Sequence, residues 1–168
     1  SPSATVEAEP MVDADLPENF PCTAPPNKIP TLGASFASVK NGSWTNPEVW
    51  GYEEKSGKYP QPEDVVQVSH RIGLDIKGSQ NKVLSGLIVD GFGELSNSYY
   101  SQSLTINGPL VNLGKIAVAD VNSPYGLGFS VGGTIWNSGE FHVTGLSLLG
   151  GGQRTIAPGG TFTVGPGF

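Results

Sequence analysis

The sequence predicts an all-β protein: a right-handed parallel β-helix (solenoid) preceded by an extended, Pro-rich acidic N-terminal arm. Three observations carry that prediction. Residues 103–118, SLTINGPLVNLGKIAV, are echoed at an offset of 25 residues by 128–143, GFSVGGTIWNSGEFHV, and a fixed period of this size marks a repeat architecture. Apolar positions recur in register, Leu104 with Phe129, Ile106 with Val131, Leu110 with Ile135, Ile116 with Phe141 and Val118 with Val143. They fall in short period-2 runs rich in β-branched and aromatic residues, the pattern of strands. Composition agrees, since only 14% of residues are charged while 24 are Gly and 14 are Pro. A surface built from Ser, Thr, Asn and backbone is that of a secreted β-rich structural protein.

The arm, residues 1–33, holds Pro2, Pro10, Pro17, Pro21, Pro25, Pro26 and Pro30, and sets five acids against Lys28 alone. Such a segment buries too little apolar surface to fold by itself. Its apolar side chains Val6, Met11, Val12, Leu16, Phe20 and Leu32 are spaced like pegs for grooves on something else; Val6, Met11, Val12, Leu16 and Phe20 are expected to fill grooves on another copy of the chain, with Cys22 near that contact, and the alternative is that the arm folds back on its own body as an N-terminal cap. A single cysteine makes no intramolecular disulfide and no tetrahedral metal site. No catalytic pairing is expected for it, because His70 and His142 lie far along the chain in strand patterns.

Residues 34–168 form the β-helix domain, with 34–63 an aromatic-rich cap and first strand and 64–168 the coils. Phe36 and Val39 suggest the first strand. Trp44, Trp50, Tyr52 and Tyr59 then gather around turns at Asn41-Gly42, Asn46-Pro47 and Ser56-Gly57. Such rings either cap the open end of a core or form a platform on which sugars stack. Asn41-Gly42-Ser43 is a glycosylation sequon. Asp64 is placed to accept backbone N–H bonds at a turn before the first coil.

Strand patterns follow at 65–68, 72–76, 83–89, in the two matched coils, and at 146–149. Asn112 and Asn137 occupy one repeat position, where an Asn amide can bond the coil above. Lys115 and Glu140 share another and are candidates for a surface ion pair. GGTI at 132–135 returns as GGTF at 159–162, an offset of 27, which suggests a further coil. The sequence then reaches Gly165-Pro166-Gly167-Phe168 with no polar cap, so the last coil, Phe168 included, is expected to be covered by another copy or continued by further chain.

GSWTNPEVW at 42–50, PQPEDVVQVSHRIGLDI at 60–76, GLIVDGFGEL at 86–95 and SLTINGPLVNLGKI at 103–116 resemble secreted right-handed β-helix proteins of the pectin-lyase-like and G8-like surface families. The resemblance spans roughly residues 40–120. It departs from the pattern in the long charged loop 51–59 and at Glu63. It implies architecture more than activity, because the fold hosts adhesins, surface proteins and carbohydrate-active enzymes alike.

The remaining chemistry is sparse. A net charge of −6 offers no basic face to replace the counterions of nucleic acid. No apolar run approaches the roughly 20 residues needed to span a bilayer. Residues 103–168 carry only Lys115, Asp120, Glu140 and Arg154 as charged side chains, too scattered for the acid cluster that catalysis on a β-helix needs. Asp120–Asn122 and Asp13–Asp15 lack the spacing of a calcium loop. His142, between Phe141 and Val143, faces outward. No catalytic residue, metal or cofactor is therefore expected. The expected function is that of an extracellular structural subunit that assembles with other copies through β-helix ends and arm. A cell-surface adhesin or glycan-binding module, with carbohydrate as partner, is the alternative.

Overall fold

A computed structural model describes residues 32–78, 82–98, 100–150 and 152–165. Val6, Met11, Val12, Leu16, Phe20, Cys22 and Phe168, the residues assigned to an assembly contact, lie outside the described residues.

The chain enters through β1 (Phe36–Ala37) and β2 (Gly42–Ser43) and then winds through four three-strand turns. The first is β3 (Val65–Val68), β4 (Arg71–Leu74) and β5 (Val83–Leu84); the second is β6 (Gly86–Val89), β7 (Glu94–Asn97) and β8 (Gln102–Ile106). The third is β9 (Leu110–Asn112), β10 (Lys115–Ala117) and β11 (Leu127–Val131); the fourth is β12 (Ile135–Asn137), β13 (Glu140–Val143) and β14 (Gly145–Leu148). β15 (Arg154–Ile156) and β16 (Thr161–Val164) open a fifth. Corresponding strands stack in parallel into three sheets: sheet A is β1-β3-β6-β9-β12-β15, sheet B is β2-β4-β7-β10-β13-β16 and sheet C is β5-β8-β11-β14. This is a parallel β-solenoid.

The matched repeat is reproduced pair by pair. Leu104 faces Phe129 and Ile106 faces Val131 in sheet C, Leu110 faces Ile135 in sheet A, and Ile116 faces Phe141 in sheet B. Alternation sends every second side chain inward, and all of these residues are buried in one core. Each such side chain contributes roughly 1.5–3 kcal/mol by leaving water. Phe141 stacks on Phe162 of the next turn with centroids 4.5 Å apart and planes 3° from parallel.

Three local expectations are corrected. Residues 83–89 are two strands in different sheets, because the chain turns a corner at Ser85. The first strand stops at Ala37, and Val39 lies outside it, 56% exposed. The GGTI–GGTF match is not a structural register: Ile135 faces Arg154, while Phe162 faces Phe141. The fourth turn has one residue, Thr144, between its second and third strands, where the third has 118–126, so the 25-residue spacing does not extend past it.

Asp64 stands at its expected turn. Its Oδ2 accepts the Gln61 N–H at 2.8 Å and its Oδ1 the Ser35 hydroxyl at 3.0 Å. Leu32, assigned to the arm, instead packs on the solenoid body beside Ile88.

Candidate functional site

The aromatic cluster divides. Trp44 is fully buried and Trp50 is 5% exposed; they meet edge to face at 5.3 Å, and Trp50 Nε1 donates to the Trp44 carbonyl at 2.8 Å. Phe36 closes on Trp50 from one side and on Tyr52 from another. Sequence makes this corner because Asn46 accepts the Glu48 N–H at 3.0 Å and starts the short 3-10 turn Pro47–Trp50, which tucks Val49 and Trp50 under the first turn. A sugar needs an open ring face, so the two indoles are unavailable as a platform. Tyr59 is half-buried against the core, and Tyr52 is exposed, with the Lys58 ammonium 5.0 Å above its ring. Asn41 is exposed, and its Oδ1 accepts the Arg71 N–H at 2.8 Å.

Polar side chains converge instead on the outer face of sheet B. Outward positions there form a column in which charge alternates from turn to turn: Arg71 faces Glu94, Glu94 faces Lys115, and Lys115 faces Glu140. One step along the strands, Ala117 faces His142 and His142 faces Thr163. The chain between β10 and β11 rises as a wall carrying Val118, Ala119 and Val121. Together they enclose an open groove of about 530 Å³.

Lys115 and Glu140 are neighbours in register, yet no ion pair joins them among the described residues. Glu140 Oε1 instead lies 3.8 Å from His142 Nε2, which is also 3.5 Å from Thr161 Oγ1. The groove therefore presents carboxylates that accept, an ammonium that donates, and a small apolar floor at Ala117. Glu94, Ser96 and Thr163 were not singled out from sequence; their signal is the strand register, which appears only once the turns are stacked.

Asp120 makes a local turn, its Oδ1 accepting the Asn122 N–H at 2.9 Å. Among the described residues no three His, Cys, Asp or Glu side chains group as metal ligands, and no helix is long and apolar enough to cross a membrane.

A third feature is the face of the last described turn. Leu148 continues the column Leu84–Ile106–Val131, and Val164 continues the column through Val143. Ile106, Val131 and Val143 are fully buried, whereas Leu148 is 53% and Val164 44% exposed. Core columns thus run out onto the face of the last described turn.

No protein-family model matches the chain, and comparisons with curated proteins and with solved structures found no match.

Proposed function

We propose that this chain is an extracellular structural subunit, related in architecture to secreted pectin-lyase-like and G8-like surface proteins, that assembles with other copies through the ends of its solenoid. The observation that carries this reading is the exposure of Leu148 and Val164, two positions in otherwise buried columns. The apolar face of the last described turn, flanked by strand edges that pair with nothing among the described residues, takes further strands, and a second solenoid supplies them in matching register. Such a contact joins unlike surfaces and propagates into a fibre unless rotation closes it into a ring. The low charge content supports an extracellular setting. Sedimentation velocity and negative-stain imaging across a concentration series test the reading: growing rods or rings are expected, and a monomer at every concentration overturns it.

The groove on sheet B favours a second reading, a cell-surface module that binds glycans. Its mixed acceptors and donors match sugar hydroxyls. A glycan array with the Glu140→Gln and His142→Ala variants as controls tests it; hits lost in both variants support binding at the groove, and an array without hits removes it.

A further inference from the structure

The outer face of sheet B reads the same from either end once the signs of its charges are exchanged. Neighbours in register run Arg71, Glu94, Lys115, Glu140. The residues that follow them, Ile72, Leu95, Ile116 and Phe141, are buried in the core, so the four charged side chains point outward. The row ends in neutral groups on both sides: Asn41 Oδ1 accepts the Arg71 N–H at 2.8 Å, and Glu140 faces Thr161. The order neutral, plus, minus, plus, minus, neutral is its own complement when reversed. Among the described residues no ion pair uses Arg71, Glu94 or Lys115, and Glu140 pairs with His142 alone, at 3.8 Å. Arg71 and Glu140 are exposed, and Glu94 and Lys115 are half-buried.

The next outer row has the matching shape. It runs Ser43, Gly73, Ser96, Ala117, His142, Thr163, with Ala117 following Ser96 from the register of Ile116 on Leu95. One member is bulky, His142, and one has no side chain, Gly73. Reversing the row sets His142 of one copy over Gly73 of the other. Nothing in the subunit itself calls for glycine at 73: its φ is not in the left-handed region, and an added Cβ would meet only Ser98, at an ordinary 3.7 Å. A strand glycine without such a reason is a mark of close approach by another backbone or a ligand.

We propose that the outer face of sheet B is a lateral contact between two copies of this chain, related by a two-fold axis parallel to the strands and midway between β7 and β10. The rotation sets the two solenoids antiparallel and brings β4 over β13 and β7 over β10. Arg71 then opposes Glu140 and Glu94 opposes Lys115, each twice. The wall at Val118, Ala119 and Val121 turns towards the other copy's recess of about 240 Å³, lined by Arg71, Gly73 and Ser96. Such an interface is isologous and closes at two copies, and Leu148 and Val164 take no part in it. Its charge pairs stay partly in water, so salt screens them, and as ionic strength rises only the contact through the solenoid ends remains. A glycan in the groove competes for the same face.

Two charge reversals in the full chain test the contact. Between identical chains, Glu94→Lys puts like charges over Lys115, and Lys115→Glu puts like charges over Glu94. A Glu94→Lys chain facing a Lys115→Glu chain has every pair opposite in sign. With one protein immobilised and the other flowed over it at low ionic strength, Glu94→Lys is expected to bind Lys115→Glu about tenfold more tightly than it binds itself. Net charge alone predicts the reverse order, since the Glu94→Lys chain is the less acidic of the two, and a contact through the ends predicts no difference. Either of those outcomes overturns the proposal. The parent chain gives a second reading free of any folding defect. Its self-binding at low ionic strength is expected to fall as salt is added; parent chains that do not bind each other, or that bind equally at every salt concentration, overturn the proposal as well.

Discussion

The side-chain amide of Asn112 donates to Oδ1 of Asn137 at 2.7 Å across one turn of the solenoid, and both residues are fully buried. The pair is a ladder step that also ties down the corner between sheets A and B. Asn112 Nδ2 reaches the Glu140 carbonyl at 2.8 Å and its Oδ1 receives the Gly114 N–H at 3.2 Å. Asn137 repeats the arrangement one turn on, donating to the carbonyls of Gly139 and Thr161. Corners are where a solenoid's backbone leaves its ladders, and these amides satisfy groups that would otherwise be buried unpaired.

Asn112→Ala is therefore expected to destabilise the protein by about 2–4 kcal/mol, since it removes a buried amide and strands several partners. Asn137→Ala should behave alike. Because the two touch, the double variant should cost less than the sum of the singles, with a coupling of about 0.5–3 kcal/mol. Urea unfolding of the four proteins measures it, and strict additivity would remove the ladder as a cooperative unit.

At the same corner, Gly139 sits directly over Gly114. A Cβ at Gly139 would lie 2.1 Å from the Gly114 carbonyl oxygen, and backbone cannot swing aside as a side-chain tip can. Gly139→Ala should force the two turns apart and cost at least the 1–3 kcal/mol typical of overpacking. Gly57→Ala is unsuitable as a control because its φ is 66°; Gly91→Ala, where an added Cβ meets nothing within 4 Å, should change the midpoint far less. Equal midpoints for Gly139→Ala and the parent would refute the close approach.

Ile106 tests the core. It is fully buried between Leu84 and Val131. Ile106→Ala should cost about 2–5 kcal/mol through lost burial and the cavity left behind. Ile106→Asp places an unpaired carboxylate in the stack and should abolish cooperative unfolding of the turns around it. A native circular-dichroism spectrum with an unchanged melt in the Asp variant would contradict the inward assignment.

The matched turns were legible because their corners reuse the same residues at the same offsets: Gly108 under Gly133, Asn112 under Asn137, Gly114 under Gly139. Where a corner or loop changes length, the signal fails. Register between Val66 and Leu87 is 21 residues, between Leu87 and Leu110 it is 23, and between Ile135 and Arg154 it is 19, so a search at fixed period finds only the central pair. The groove on sheet B was hidden for the same reason: Glu94 and Lys115 look unrelated until stacking brings them together. The apolar outer positions of sheet A, Val111 and Trp136, had a local signal. Leu110-Val111 and Ile135-Trp136 are paired apolar residues that break the alternation, and one of each pair has to face outward. Trp44 and Trp50 show the opposite limit, since aromatic content alone does not tell a sealed corner from an open platform.

The end face supplies the most direct test of assembly. Leu148 and Val164 lie in different sheets, C and B, at the same end of the described solenoid, each about half exposed. Replacing both by Lys adds little strain to the folded subunit, because neither is enclosed there, and surface changes of this kind usually stay within about 0.5 kcal/mol. Within a stacked contact the same two ammonium groups would be driven between apolar columns without partners, a cost of several kcal/mol, and charged edges are a common device against strand addition. The double variant Leu148→Lys/Val164→Lys should thus keep the parent's thermal midpoint while its sedimentation profile collapses to a single monomer species. Rods or rings of parental length, formed at parental concentration, would place the contact elsewhere. Loss of the thermal midpoint together with assembly would show that the two side chains hold the last turn itself, and would withdraw the end face as the contact.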